Sequence, residues 1–120
     1  MAAEPPAADG IFLLIRIIDC VYGRPAVGVS ARVMTNPQGK IKEYARCRTD
    51  ATGRMTLELE EKPASRLFQI DFDINGYFAA LGVTPFYPKI SLNFRMPVHI
   101  SHYKLIVLIT PSSYSVLKEE

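Results

Sequence analysis

The residues best suited to chemistry in this chain are two cations set in apolar runs. Arg16 interrupts FLLIRII, and Lys104 opens KLIVLIT directly after His102 and Tyr103. A cation among apolar side chains attracts an anion or polarises a carbonyl, because little water competes for it. The plainer reading stands beside this one: each is a solvated charge on a snorkelling apolar stem. Other reactive types are sparser. His99 and His102 have the spacing of a metal pair across a turn. On a strand, however, positions i and i+3 point to opposite faces, and no third ligand stands out, so no metal is expected. Ser112, Ser113 and Ser115 lack the context of an activated serine. Cys20 and Cys47 have no metal-like spacing and no neighbouring histidine, so two free thiols are expected. Nothing in the sequence calls for a cofactor.

The elements that carry these residues sit in a chain of 120 residues, enough for one domain. Hydrophobic residues make up 48% and charged ones 22%, a globular balance that argues against disorder. The net charge is only +2 and no basic face stands out, so a nucleic-acid partner is not expected. No stretch reaches the ~20 apolar residues of a membrane span. The first ten residues, MAAEPPAADG, are small, Pro-rich and acidic. They lack the basic and apolar regions of a secretory signal and read as a disordered tail, 1–10. The folded domain is then 11–120, and reduced thiols without a signal give a cytoplasmic expectation.

Short runs punctuated by Gly, Pro, Asn and Asp predict antiparallel β-structure. The first run is 11–19. After the breakers Gly23 and Pro25, alternation of Val27, Val29, Ala31 and Val33 predicts a half-buried strand. NPQG at 36–39 and TDATGR at 49–54 are turns. The polar run 40–48 reads as a strand near an edge. In 66–73, Phe68, Ile70 and Phe72 face a core, and in 89–96 Ile90, Leu92, Phe94 and Met96 do. NGYFAALG breaks the two-residue period and predicts one short helix that stops at Gly82. The runs 102–110 and SYSVLKEE close the chain. Seven or eight strands at this spacing predict an all-β, two-sheet antiparallel sandwich with one short helix.

Two of these strands are apolar on both faces. In 11–19 the even positions Phe12, Leu14 and Ile18 flank Arg16. In 102–110 Ile106 and Leu108 follow Lys104. One domain has a single core to offer, so the second faces need another cover, and self-association is the simplest one.

At this point several phrases, in order, resemble the transthyretin / 5-hydroxyisourate hydrolase superfamily. IRIIDCVYGRPAVGV is similar to its first strand and turn. TDATGR resembles its T-[ND]-x-x-G-R turn, GYFAALGVTPFYPKI its helix and next strand, and HYKLIVLITPSSYS its closing strands. The resemblance runs from about Ile11 to the C-terminus. It implies an eight-stranded sandwich and a homotetramer, a dimer of dimers, with ligand sites in a channel between subunits. That channel would cover the second faces.

The resemblance also implies site residues, and here the chain departs from the hydrolase pattern. Arg16 stands where the hydrolase has a first-strand His, and Lys104 replaces the second His of H-Y-H. The turn arginine is kept as Arg54. The terminal Y-R-G-S becomes Leu117, Lys118, Glu119 and Glu120. A histidine suits proton transfer near neutral pH. An arginine stays protonated, and a lysine serves only where burial or nearby cations lower its pKa. These changes imply an enzyme turned to a small polar or anionic metabolite outside urate breakdown. Lys104 would be the acid–base group, Arg16 and Arg54 would hold negative charge, and Glu120 would assist. Leu14, Ile106, Ser115 and Leu117 would line the ligand. Two other readings stand beside it: a carrier without turnover, as in transthyretin, and a divergent 5-hydroxyisourate hydrolase. The chain shares the phrase ALGVTPF with the carrier, but the carrier has an acidic residue where Arg54 stands.

Overall fold

A computed structural model describes residues 11–35, 42–59, 67–96 and 102–119 of the chain. Two sheets face each other across one core. The first contains β1 (Ile11–Asp19), β2 (Arg24–Pro25), β5 (Arg54–Leu59), β8 (His102–Ile109) and β9 (Tyr114–Glu119). The second runs in the order β4 (Lys42–Arg48), β3 (Ser30–Thr35), β6 (Leu67–Asp73), β7 (Lys89–Arg95). The helix α1 (Ile74–Ala79) joins β6 to β7. The two-sheet sandwich and its short helix agree with the expectation. Among the described residues no helix is long and apolar enough to cross a membrane.

Period-two alternation is the reason the sheets face each other. Leu13, Ile15 and Ile17 of β1 and Val107 and Ile109 of β8 are fully buried, as are Val33, Ile70 and Phe72 from the second sheet. Each such side chain contributes roughly 1.5–3 kcal/mol when removed from water. Ile74 and Phe78 of α1 close the same core.

Several details differ from the sequence reading, including nine strands among the described residues in place of seven or eight and a helix that ends at Ala79, short of Gly82. The pairing of β1 with β8 is parallel, while every other pair is antiparallel. Parallel neighbours need a long crossover, and here the whole second sheet lies between them in sequence. The third strand starts at Ser30 rather than Val27. Gly28 takes a positive φ of 79° in the preceding turn, which leaves Val27 exposed while Val29 stays buried. The helix begins one residue early, at Ile74, because Asp73 caps it by accepting from the Gly76 N–H at 2.9 Å. The predicted turn 36–39 and the tail 1–10 lie outside the described residues.

One buried carboxylate ties the end of β1 to the helix. Asp19 is 0% exposed. Its Oδ1 accepts from the N–H groups of Val21 and Tyr22 at 2.9 and 3.3 Å, and its Oδ2 from the Tyr77 hydroxyl at 2.6 Å. Burial, together with this bond to a carboxylate, pushes the Tyr77 phenol up to about 12. A folded-state pKa raised above the unfolded one gives stability that is complete below about pH 10. It is lost as pH climbs through about 12. Tyr77→Phe removes a donor from a buried carboxylate and is expected to cost about 1–3 kcal/mol at neutral pH. The gap between the two proteins closes above the phenol's ordinary pKa, which urea unfolding measured at several alkaline pH values checks.

Candidate functional site

Strand pairing sets the outer face of the first sheet in rows. Across β5, β1, β8 and β9, one row reads Arg54, Arg16, Ile106, Leu117. The next reads Thr56, Leu14, Lys104, Glu119. Beyond it lie Glu58, Phe12 and His102, and on the other side Ile18, Leu108 and Ser115. Arg16, Arg54 and Lys104 are exposed on this face, Leu14 and Ile106 are half-buried, and Leu117 is 52% exposed. The rings of Phe12 and His102 stack 5.1 Å apart. Beside them Leu14, Thr56 and Lys104 complete a shallow recess of about 220 Å³.

The turn before β5 decides where Arg54 stands. Asp50 Oδ1 accepts from the Thr52 hydroxyl at 2.6 Å and from the N–H groups of Thr52 and Arg54 at 2.8 and 3.1 Å. The Thr52 hydroxyl and then these N–H groups hold the Asp50 carboxyl below its ordinary value. Gly53 follows with φ +75°, and its carbonyl accepts from the Ile17 N–H at 2.8 Å. A Cβ there would sit 2.7 Å from the Ile17 carbonyl oxygen and 2.8 Å from Pro25 Cβ. Only glycine lets β5 start flush against β1, and that contact puts Arg54 opposite Arg16.

The other side of the face depends on the turn between β8 and β9. Thr110 Oγ1 accepts from the Ser113 N–H at 2.9 Å, and the Thr110 N–H donates to the Ser113 carbonyl at 2.9 Å. The Tyr87 hydroxyl donates to the Thr110 carbonyl at 2.7 Å. Ser112 and Ser113 therefore belong to a turn. Ser115 lies on the outer face, beside Leu108.

The charges of this face are set against the ion pairs of the second sheet. Arg16 and Arg54 are direct partners across antiparallel strands, a like-charge arrangement that opposes folding. Among the described residues every ion pair within 4 Å joins Arg32, Arg46 or Lys89 to Glu43 or Asp71 on the second sheet. None neutralises Arg16, Arg54 or Lys104. Three cations on apolar ground, without an ion pair among the described residues, can hold an anion or polarise a carbonyl.

Seven of the eight residues picked from the sequence share this face: Arg16, Arg54, Lys104, Leu14, Ile106, Ser115 and Leu117. The eighth, Glu120, lies outside the described residues, as does His99. The carboxylate that pairing sets beside Lys104 is that of Glu119. Sequence reasoning missed it, although the two-residue step from Ser115 to Leu117 leads on to 119. Thr56 and Glu58 were missed as well, because only the register of β5 on β1 brings them here. Among the described residues no three His, Cys, Asp or Glu side chains gather as a metal site needs.

The model of the family described as HIUase/Transthyretin matches residues 13–118. A protein of Schizosaccharomyces pombe named probable 5-hydroxyisourate hydrolase is 30% identical over 124 residues, which cover 98% of each chain. The crystal structure of sea bream transthyretin in complex with thyroxine superimposes with a TM-score of 0.78 at 27% identity. That match covers 89% of this chain and 93% of the other.

A site that gathers like charges is stabilised by losing one of them. Arg16→Gln is expected to raise unfolding stability by ~0.2–1 kcal/mol, the size of a cross-strand charge effect. Denaturant midpoints of the two proteins, compared at low and high salt, measure it. A destabilised variant would show that Arg16 is structural.

Proposed function

This chain belongs to the HIUase/transthyretin family, and on that premise we propose that it acts on a small anionic or carbonyl-bearing metabolite held over the outer face of the first sheet. One observation carries this reading: Arg54, Arg16 and Lys104 occupy adjacent rows of an apolar sheet face, with no ion pair to any described carboxylate. In the proposed roles, Lys104 transfers a proton, and Arg16 and Arg54 hold the negative charge that develops on the substrate. Leu14, Ile106 and Leu117 supply the apolar walls, and Ser115 supplies a hydrogen bond.

The face is open in a single chain, and chemistry of this kind profits from excluded water. A second copy laid over it would bury Phe12, Leu14, Ile106 and Leu117 and enclose the cations. A homotetramer with the site in an inter-subunit channel, as the family resemblance implies, is part of the proposal. So is Glu119, which pairing sets beside Lys104, as a carboxylate that assists it alongside the expected Glu120.

Binding without turnover is the second reading. It is favoured by the apolar share of the face and by the likeness to a structure that holds thyroxine.

Native mass spectrometry of the purified protein separates the readings, before and after incubation with fresh 5-hydroxyisourate and with a metabolite extract. A tetramer that consumes a compound is the expected result. A tetramer that retains one compound unchanged means a carrier. Lys104→Met is expected to lower kcat/KM by about 10²–10⁴, the usual worth of a positioned acid–base group, while the tetramer persists. Turnover that survives the substitution removes Lys104 from its role.

A further inference from the structure

The outer face of the second sheet carries a different set of charges. One row across β4, β3, β6 and β7 reads Arg46, Arg32, Asp71, Ser91, and Asp73 partners Lys89 in the row beside it. Between these rows and the start of α1 lies a groove of about 460 Å³, whose lining includes Ser30, Arg32, Arg46, Asn75 and Lys89.

The carboxylates of this groove are already engaged. Asp71 Oδ1 accepts from Gln69 Nε2 at 2.9 Å and from the Ser91 hydroxyl at 2.7 Å. Burial alone would push its carboxyl up. The hydrogen bonds from Gln69 and Ser91, with the Lys89 charge, outweigh that and hold it low. Asp73 Oδ1 is spent on the helix cap.

The cations are paired with Asp71 and Glu43 but not saturated by them. Arg32 and Lys89 each stand 3.6 Å from Asp71 Oδ2, and Arg32 stands 3.7 Å from Glu43. A charge-assisted hydrogen bond is shorter, about 2.7–2.9 Å, so these contacts leave N–H groups to spare. Arg46 commits only its Nε, to Glu43 at 2.8 Å. Among the described residues the Ser30 hydroxyl and the Asn75 side-chain amide make no hydrogen bond.

We propose that this groove is a second ligand site, on the side of the sandwich opposite Arg16 and Lys104, and that it takes a small phosphate-bearing metabolite. Three cations from three different strands surround one volume that Asp71 and Asp73 also line, and with those carboxylates already bonded the spare donors suit an anion with several oxygens in a tetrahedron. A carboxylate, with two oxygens in a plane, is satisfied by a single guanidinium fork.

The test is a titration of the ¹⁵N-labelled protein with inorganic phosphate to about 20 mM, with sodium chloride holding the ionic strength constant. Saturable shifts of the backbone amides of Ser30, Arg32, Asn75 and Lys89 are expected. Lys89→Gln and Arg46→Gln lie at exposed positions and keep the fold. Each is expected to weaken binding about three- to fivefold, the size of one exposed charge contact. A linear, unsaturated response overturns the proposal. So do shifts centred on Leu14 and Ile106, or an affinity that neither variant changes.

Discussion

The backbone pairing of β1 is the constraint on which the rest of this structure depends. On one side β5 joins it in register from Ile11 to Arg16, and β2 joins it at Ile18 and Asp19. On the other side β8 runs parallel to it from Phe12 to Asp19. One strand thereby fixes the inner rows that fill the core and the outer rows that display the cations. A slip of one residue would exchange these sets, sending Arg16 into the core and Ile15 or Ile17 outward. The fully buried Leu13, Ile15 and Ile17 make that slip prohibitive. The hydrophobic core is therefore also what holds Arg16 in its row.

The contact at Gly53 shows how closely the site is tied to the fold. A sheet can be joined by many turns, but few bring a strand in with its first residue already opposite a chosen partner. The turn at Asp50 to Gly53 does so because its donors are absorbed by one carboxylate and its last residue has no side chain. The outcome sets two arginines in register on neighbouring strands, an arrangement that costs stability. Such a cost survives when the pair serves binding, since functional sites are where stability is given up.

Much of this was legible in the residues. The apolar runs around Arg16 and Lys104 identified both strands. Alternation at Phe68, Ile70 and Phe72 located the second sheet, and the loss of alternation at 75–82 located the helix. Other features were not legible, for physical reasons. The parallel pairing of β1 with β8 is a property of topology that neither strand's sequence carries. The early strand at Val27 failed because Gly28 adopts a left-handed backbone, which alternation alone does not reveal. Thr56, Glu58 and Glu119 reach the face through the registers of β5 and β9. The charged rows of Arg32, Arg46, Asp71 and Lys89 read individually as ordinary polar positions on strands. Only pairing makes them neighbours.

The two outer faces make opposite use of the same side-chain chemistry. On the second sheet Arg32 lies between Glu43 and Asp71, and Asp71 is anchored by two neutral donors and approached by a second cation. Charges there support one another, with contacts long enough to leave donors to spare. On the first sheet Arg16 has another arginine across the strand and leucine and isoleucine around it. Among the described residues none compensates it within ion-pair distance, which leaves water and whatever docks on the face. Covering an apolar face expels that water, and the cation then requires an anion in its place, because a desolvated and unpaired charge costs several kcal/mol. The cover and the ligand are therefore coupled. Closing the face without an anion is unfavourable, and binding an anion on the open face is weak because solvent screens it. In the proposed assembly, the residues that favour association would also be the ones that select negative charge.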